Sequence, residues 1–208
     1  MAYPLNSYFI GSGSRTDFWN LDPKLPKEMQ PVLYSGFRGG SYDRGHQCPS
    51  ADRLASGANE KTFYGTNMTP QRGSLNQNAW ATFEGMVRDW SRSFDTLYVV
   101  TGCDIRGATE FAYDNEDKKV TVPVGYFKAL LGYKKSGGVG ISPSTGGYTG
   151  AGFYVEHKSY SNTRSTILGL GMTIDELEEK MGMDFFVNLP AAIGATYADK
   201  VESTRDSY

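Results

Sequence analysis

Cysteine and histidine are scarce in this chain of 208 residues, which contains two of each. Two cysteines allow at most one disulfide and exclude the paired Cys-x-x-Cys clusters that bind structural zinc. The sequence leaves open whether Cys48 and Cys103 form that disulfide or remain free thiols. Because histidine is so rare here, a histidine inside a dense polar motif calls for a specific explanation.

Long apolar runs and an excess of basic charge are also missing. No stretch of about 18 apolar residues occurs, so we expect no transmembrane helix. The first residues, Met1 to Leu5, look like part of a strand rather than a signal peptide, which predicts a processed or trimmed form. A net charge of −2 and a pI of about 5.7 argue mildly against a protein with a broadly basic surface, although an enzyme needs only a local basic cleft.

The composition indicates a globular protein rich in strands and loops, with 39% hydrophobic residues, 13% aromatic residues and 25 glycines. A chain of this length without a linker or an internal repeat predicts one domain over residues 1–208. From apolar and β-branched content we predict strands over residues 3–10, 96–101, 120–124, 126–133 and 151–157, and a strand end with a turn over 42–49.

Two helices carry clear start signals. Ser74 with Gln77, and Thr173 with Glu176, each form the pattern of a capping box. The first helix has an apolar stripe at helical spacing that comprises Ala79, Phe83, Met86, Val87, Trp90 and Phe94. The second is predicted over Ile174 to Met181 and should stop at Gly182.

The remaining segments are rich in polar and turn-forming residues. We predict a short helical turn within residues 50–61, a turn over 67–71 and a loop over 104–117. Residues 134–150 are rich in glycine and serine and should be exposed, and the charged tail from Asp199 should fray.

The most informative stretch is the motif Asp43-Arg44-Gly45-His46. A neutral imidazole near pH 7 can take a proton from water, so His46 is a candidate general base. Arg44 stands beside it and could bind phosphate oxygens. Cleaving a phosphodiester requires such a base, a cation for the developing charge and help for the leaving oxygen.

The Ser74 helix offers the other parts of such a site. Asn76 carries an amide oxygen, a neutral hard ligand that suits Mg²⁺. Glu84 could hold or deprotonate water molecules around the ion, and Arg88, one turn further on, could bind the phosphate as a fork. All three lie beside the apolar stripe of the helix, on an adjoining face.

Each residue also has a structural interpretation. A lone histidine is more often structural than catalytic, and Asn76 could simply be a polar residue early in a helix. Glu84 and Arg88 could form an i,i+4 pair worth a few tenths of a kcal/mol. We expect structural roles for His157, in a plain strand pattern, and for the core residues Trp80 and Trp90.

Three blocks in the same order resemble the DNA/RNA non-specific endonuclease family, the ββα-metal (His-Me finger) nucleases related to endonuclease G. The blocks are Asp43-Arg44-Gly45-His46, Asn67-Met68-Thr69-Pro70-Gln71, and Leu75-Asn76-Gln77-Asn78-Ala79-Trp80 with Glu84. Later segments, Val99 to Gly102, Val122 to Lys128 and Ile174 to Pro190, are similar as well, so the resemblance covers nearly the whole chain.

The resemblance implies an α+β fold with a central antiparallel sheet and flanking helices. It implies Mg²⁺, replaceable by Mn²⁺, with Asn76 as its one direct protein ligand and His46 as the general base. Glu84 would support the water molecules around the metal, Arg88 would stabilise the pentacovalent phosphate, and Arg15 resembles a further phosphate-binding arginine.

The implied substrates are DNA and RNA, cut with little sequence preference to leave 5′-phosphate ends. We expect no membrane partner and a monomer or a homodimer. Secretion or export to a bacterial periplasm is implied by the family alone. The chain departs from the family in having at most one disulfide and in lacking a strand segment before Ala2.

Two other functions stay open. The first is a nucleic-acid-binding or partner-binding module on a nuclease fold that has lost its activity. The complete set of His46, Asn76, Glu84 and Arg88 argues against it, because a binding protein has no use for a base. The second keeps the chemistry but acts on a small phosphodiester.

Overall fold

The computed structural model describes residues 1–135 and 147–205, which form an α+β structure. Its strands are β1 (Ala2–Leu5), β2 (Tyr42–His46), β3 (Met68–Arg72), β4 (Thr96–Asp104), β5 (Phe111–Tyr113), β6 (Lys119–Thr121), β7 (Gly125–Lys134), β8 (Gly147–Glu156) and β9 (Gly171–Met172). Its helices are α1 (Ser7–Ile10), α2 (Ala81–Ser91), α3 (Arg164–Leu168), α4 (Ile174–Met181), α5 (Leu189–Ile193) and α6 (Ala195–Glu202). A π-helical turn, Leu75–Trp80, leads directly into α2, and 3-10 turns occur at Lys27–Met29, Ser50–Asp52, Glu60–Phe63 and Gly65–Asn67.

A five-stranded sheet forms the centre, in the order β1-β4-β7-β8-β9, with every neighbouring pair antiparallel. Helices cover both of its faces. Successive side chains of a strand point to opposite faces, so Tyr126 and Leu130 of β7 contact the α2 side while Phe127 and Ala129 pack with α4. This double covering explains why β7 is apolar on both faces.

Helix α2 packs on the sheet through the predicted apolar stripe. Phe83 and Trp90 contact Phe153 of β8, with ring centroids 4.7 Å and 5.8 Å apart. Trp80 and Trp90 are buried, as predicted. Within the described ranges, none of the helices has the length and apolar character needed to cross a membrane.

The candidate site belongs to a smaller unit in which β2 and β3 pair with each other and the helix follows β3 at once. Tyr42 lies opposite Arg72, and His46 lies opposite Met68. The chain therefore runs from strand to strand to helix, the ββα arrangement that the resemblance implies. Tyr126 of β7 donates a hydrogen bond from its hydroxyl to the Pro70 carbonyl at 2.9 Å and ties this unit to the large sheet.

Several boundaries differ from the predictions. The first strand ends at Leu5, because Asn6 accepts a hydrogen bond from the Phe9 amide and starts α1 instead. Residues 67–71, predicted as a turn, mostly belong to β3. The predicted loop over 104–117 contains β5, which pairs with β6. The charged tail does not fray at Asp199, since α6 continues to Glu202.

The prediction for residues 134–150 is only partly testable. Residues 136–146 lie outside the described ranges, and Gly147 to Gly150 form the start of β8 instead of an exposed loop. The capping box of Thr173 and Glu176 is confirmed by both of its hydrogen bonds, and Gly182 ends α4 with a positive φ of 63°. The box predicted at Ser74 is wrong, because Ser74 already has helical backbone angles and makes no side-chain capping bond.

Candidate active site

The motif glycine is required by the close approach of β2 and β3. A Cβ atom at Gly45 would lie 2.4 Å from Gln71 Oε1 and 2.6 Å from Gln71 Cβ. No side chain fits there, because real Cβ atoms do not approach other atoms so closely. The glycine thus lets β2 lie against β3 and carry His46 to the end of the strand.

His46 opens into a cavity of about 280 Å³ next to the start of the helix. The cavity is lined by Arg15, Arg44, His46, Pro49, Ser50, Ala51, Leu54, Asn76 and Glu84. Five of the six residues predicted from sequence therefore meet at one place, and Arg88 does not line it. A larger cavity of about 600 Å³ at the β1 and β4 edge contains none of the motif residues.

The His46 ring is held by aromatic contacts, with its centroid 5.2 Å from that of Phe63 and 5.8 Å from that of Trp19. The pKa of His46 is lowered to about 4, chiefly by burial and also by the charge of Arg15, while a hydrogen bond to the Arg44 backbone opposes them. The ring is therefore neutral at neutral pH. Its Nε2 atom is buried and has no hydrogen-bond partner among the described residues.

These contacts favour one tautomer of His46. A backbone group that raises the pKa of an imidazole is an acceptor, so the ring nitrogen bonded to Arg44 carries the proton. Because Nε2 makes no such bond, that nitrogen is Nδ1. The lone pair of Nε2 is left free to accept a proton, as a general base requires.

Asn76 is oriented by a residue to which the sequence motif alone assigned no role. Its Nδ2 atom donates to Asp43 Oδ2 at 2.9 Å, and the Gln77 amide donates to the same oxygen at 2.8 Å. A carboxylate only accepts hydrogen bonds, so the amide nitrogen of Asn76 must face it and the amide oxygen must face away. The only sequence signal for this role was the position of Asp43 at the start of the motif.

The π-helical turn over Leu75–Trp80 contains Asn76 and changes the spacing on which the helical-wheel prediction relied. Asn76 and Glu84 both reach the cavity. The pKa of Glu84 is raised to about 7 because burial outweighs the opposing charges of Lys128 and Arg88. Behind Glu84, the fully buried Lys128 donates to Thr101 Oγ1 at 3.0 Å.

Arg88 turns away from the cavity. Its Nη1 atom donates to Asp52 Oδ1 at 2.9 Å, so its ion pair is with Asp52 rather than with Glu84. Asp52 is 1% exposed and accepts a second hydrogen bond from the Tyr3 hydroxyl at 2.7 Å. A buried carboxylate needs such partners. The sequence could not show this pair, because Asp52 lies in a different element.

Two arginines give one wall of the cavity a positive charge. The Arg44 guanidinium lies 3.5 Å from the centre of the Trp19 ring and donates to the carbonyls of Leu33 and Tyr34. Arg15 lies 4.8 Å from the centre of the Phe63 ring. Cation–π contacts of this kind hold a guanidinium in place without neutralising its charge. Arg15 also donates from Nε to Asp17 Oδ1 at 2.8 Å, so only its remaining guanidinium nitrogens can bind an anion in the cavity. Arg44 makes no ion pair among the described residues and can bind an anion with its full charge.

Other motif residues are structural. Asn67 accepts from the Cys48 amide at 3.0 Å and donates to the carbonyls of Cys48 and Thr62, so it holds the chain beyond His46. Cys48 and Cys103 are free thiols in this structure, the first buried and the second half-buried. The question of the disulfide is answered here in favour of two thiols.

The donor atoms of the cavity suit a hard cation that keeps most of its water. Asn76 offers an amide oxygen and Glu84 a carboxylate, both preferred by Mg²⁺. Among residues 1–135 and 147–205, no cluster of three or more His, Cys, Asp or Glu side chains could hold a metal by itself. The donor atoms of Asn76 and Glu84 therefore suit an ion that takes one or two ligands from the protein.

Comparison with known proteins decides the family. The family described as DNA/RNA non-specific endonuclease matches residues 4–192. The chain belongs to the DNA/RNA non-specific endonuclease family. Membership makes it a nuclease, which is a phosphodiester hydrolase.

Several named relatives support this assignment. The chain is 32% identical to a nuclease of Nostoc sp., over 98% of this chain and 72% of the relative. It is 28% identical to the nuclease of Serratia marcescens, over 96% of this chain and 72% of that protein. It is 30% identical to human mitochondrial endonuclease G over 78% of this chain, and the match spans 54% of that relative.

A solved structure confirms the predicted fold. A chain from the crystal structure of the EndoG/EndoGI complex matches with a TM-score of 0.64 and 22% identity, over 89% of this chain and 76% of that chain. The α+β, ββα-metal arrangement inferred from the motifs is therefore correct. The relatives include nucleases of bacteria as well as a mitochondrial nuclease.

Proposed function

We propose that this protein is an Mg²⁺-dependent endonuclease that hydrolyses phosphodiester bonds in both DNA and RNA and leaves 5′-phosphate ends. The observation that carries the proposal is the unpartnered Nε2 of His46, in the same cavity as Asn76, Arg15 and Arg44. A buried polar atom without a partner is costly, and its presence beside the guanidinium groups of Arg15 and Arg44 supports a role as a reactant rather than a structural bond.

His46 would act first. Its Nε2 accepts a proton from the attacking water, while Nδ1 stays bonded to the Arg44 backbone and holds the ring in place. The imidazolium that forms is buried beside Arg15 and so returns its proton readily. The low pKa keeps the ring unprotonated at neutral pH and therefore able to accept a proton.

Arg15 and Arg44 would bind the non-bridging phosphate oxygens and stabilise the charge that develops on them. Asn76, oriented by Asp43, and Glu84 would hold the metal. The metal, when bound, supplies a Lewis acid for the phosphate and the leaving 3′-oxygen. We propose that Mn²⁺ can replace Mg²⁺, since both prefer oxygen ligands.

Arg88 was expected to bind the phosphate. Its bond to Asp52 supports a different proposal, in which it holds the α2 side of the site in place. In this role Arg88 would support catalysis indirectly, by positioning other residues and not by binding the phosphate.

Little sequence preference is expected, because contacts aimed at phosphates carry no sequence information. Cleavage should also weaken as salt rises, since counterions compete with the arginines for the phosphates. We further propose a single domain that acts as a monomer or a homodimer, exported from a bacterial cell. Size-exclusion chromatography and cell fractionation test these two points.

The decisive experiment digests plasmid DNA, RNA and a small aryl phosphodiester side by side, with Mg²⁺ and with EDTA. The proposal predicts cleavage of both nucleic acids, inhibition by EDTA and products that a 5′-phosphate-dependent exonuclease can degrade. Cleavage of the aryl ester alone would show that the substrate is a small phosphodiester and not a nucleic acid. Binding without any cleavage by a folded protein would refute the enzyme and leave the binding module.

A further inference from the structure

The second histidine of the chain uses both of its ring nitrogens. His157 follows β8 directly, and its Nδ1 lies 2.7 Å from the Pro123 carbonyl oxygen. Its Nε2 accepts a hydrogen bond from the Arg72 backbone amide, also at 2.7 Å. A carbonyl can only accept and an amide N–H can only donate, so both bonds exist together only in the neutral tautomer protonated on Nδ1.

The amide that His157 binds lies at a critical junction. Arg72 is the last residue of β3, and the helix that carries Asn76 follows it immediately. The Arg72 side chain is held as well, because its Nη2 donates to both carboxylate oxygens of Glu110, at 3.0 Å and 2.9 Å. Through Arg72, His157 thus joins the end of β8 in the large sheet to the start of the helix.

We propose that neutral His157 is a positioning residue that fixes the junction between β3 and the Asn76 helix. Its two hydrogen bonds, to the Pro123 carbonyl and from the Arg72 amide, are here called the pin. Protonation of Nε2 breaks the bond with Arg72 and so releases the pin. The effect on catalysis rests on the proposed function. The tautomer and its coupling to Arg72 do not.

Protonation must break the bond to Arg72, because Nε2–H and the Arg72 amide would then be two donors facing each other. The imidazolium would also add a positive charge beside the Arg72 guanidinium. Its charged and titratable neighbours are Tyr42 of β2, Arg72 of β3, Glu110 before β5, Tyr126 of β7, and the adjacent Glu156 and Lys158.

These neighbours give little support to a charged ring. Glu110 is already engaged by Arg72 and by the Tyr42 hydroxyl, and Glu156 is paired with Lys158. Burial lowers the pKa of His157, and the hydrogen bond to Pro123 opposes this. The pin is therefore formed above that lowered pKa and lost as the pH falls through it.

NMR can test the pin directly, since the chain has only two histidines to assign. In ¹H–¹⁵N spectra of the imidazole rings we expect the Nδ1–H tautomer for His157. On acidification the Arg72 amide should shift, and lose protection from hydrogen exchange, at the same midpoint as the His157 ring. A Nε2–H tautomer, or an Arg72 amide that does not respond, would overturn the proposal.

The matched variant is His157→Gln, whose side-chain carbonyl can accept from the Arg72 amide but cannot titrate. The acid transition of the Arg72 amide should vanish in it. Tyr126→Phe is the control, because it removes the neighbouring hydrogen bond to Pro70 but leaves the imidazole in place. It should keep the wild-type midpoint.

Activity provides the second readout, as the ratio of kcat/KM at about pH 7.5 to that at a pH below the midpoint of the His157 ring found by NMR. We expect this ratio to be roughly fivefold larger for the wild type and Tyr126→Phe than for His157→Gln, the effect of about one hydrogen bond. Equal ratios would overturn the link to catalysis. If no form of the protein cleaves nucleic acid, the proposed function fails, and the NMR titration still decides whether the pin exists.

Discussion

Asp43 fixes the orientation of Asn76, because its Oδ2 atom accepts a hydrogen bond from Asn76 Nδ2 at 2.9 Å. The amide oxygen of Asn76 therefore faces away from Asp43. The first residue of the motif on β2 thereby controls the ligand that the helix offers. Asp43 therefore orients a candidate metal ligand without itself contacting the metal or the substrate in the proposed reaction.

Asp43→Ala should leave Asn76 free to rotate. We expect the Mg²⁺ concentration for half-maximal cleavage to rise roughly tenfold, as for other residues that orient a metal ligand. Asn76→Ala should raise it further, and Gln77→Ala, which removes the other donor to Asp43, should change it little. Identical Mg²⁺ titrations for wild type and Asn76→Ala would rule out Asn76 as the ligand.

Arg88→Met should reduce stability as well as activity. It leaves Asp52 buried without its cation, which costs roughly 3 kcal/mol in the free energy of unfolding. Urea denaturation of the variant measures this loss, and adding Asp52→Asn to it should recover part of the stability. If Arg88→Met has wild-type stability but little activity, Arg88 serves the phosphate instead.

Gly45→Ala tests the close approach of the two motif strands. The added Cβ would lie 2.6 Å from Gln71 Cβ, an atom fixed to the backbone of β3, so β2 and β3 must separate. We expect a loss of about 2 kcal/mol in stability, as for other overpacked sites, together with reduced cleavage. Gly85→Ala provides the comparison, because its backbone has no positive φ and its added Cβ would come no closer than 3.9 Å to another atom. Equal effects at the two positions would contradict a steric role for Gly45.

Asp104 should contribute to acid sensitivity. Its hydrogen bond from Arg106 holds the pKa of this buried carboxyl at about 2, below its usual 3.8. The folded state therefore favours the ionised form, and the resulting stability is present above about pH 4 and is lost as the pH falls toward 2. Asp104→Asn should cost about 1 kcal/mol at pH 7, less than the full pKa shift would give, because solvent screens the exposed Arg106. The difference from wild type should shrink in acid, and a gap that stays constant down to pH 2 would contradict this assignment.

Local patterns predicted a large part of the fold and of the site. The stripe containing Phe83 and Trp90, and the cap formed by Thr173, depend on spacing within a few residues and were confirmed. The cavity brings together His46, Asn76 and Glu84 because β2 and the helix both adjoin β3.

The parts that sequence could not predict depend on distant partners. The segment around Pro70 looks like a turn, and only its pairing with β2 makes it a strand. Arg88 has the spacing of a partner for Glu84, but the fold brings Asp52 to it from a different element. The π-helical turn over Leu75–Trp80 likewise has no signal that a regular helical wheel could detect.

The central claim is that Nε2 of His46 is the general base, and the most direct measurement compares plasmid cleavage by wild type and His46→Ala at equal Mg²⁺ concentration. The account predicts a loss of roughly 10³-fold or more, with an unchanged circular dichroism spectrum and partial recovery when imidazole is added. Cleavage by folded His46→Ala at a rate near that of the wild type would contradict it.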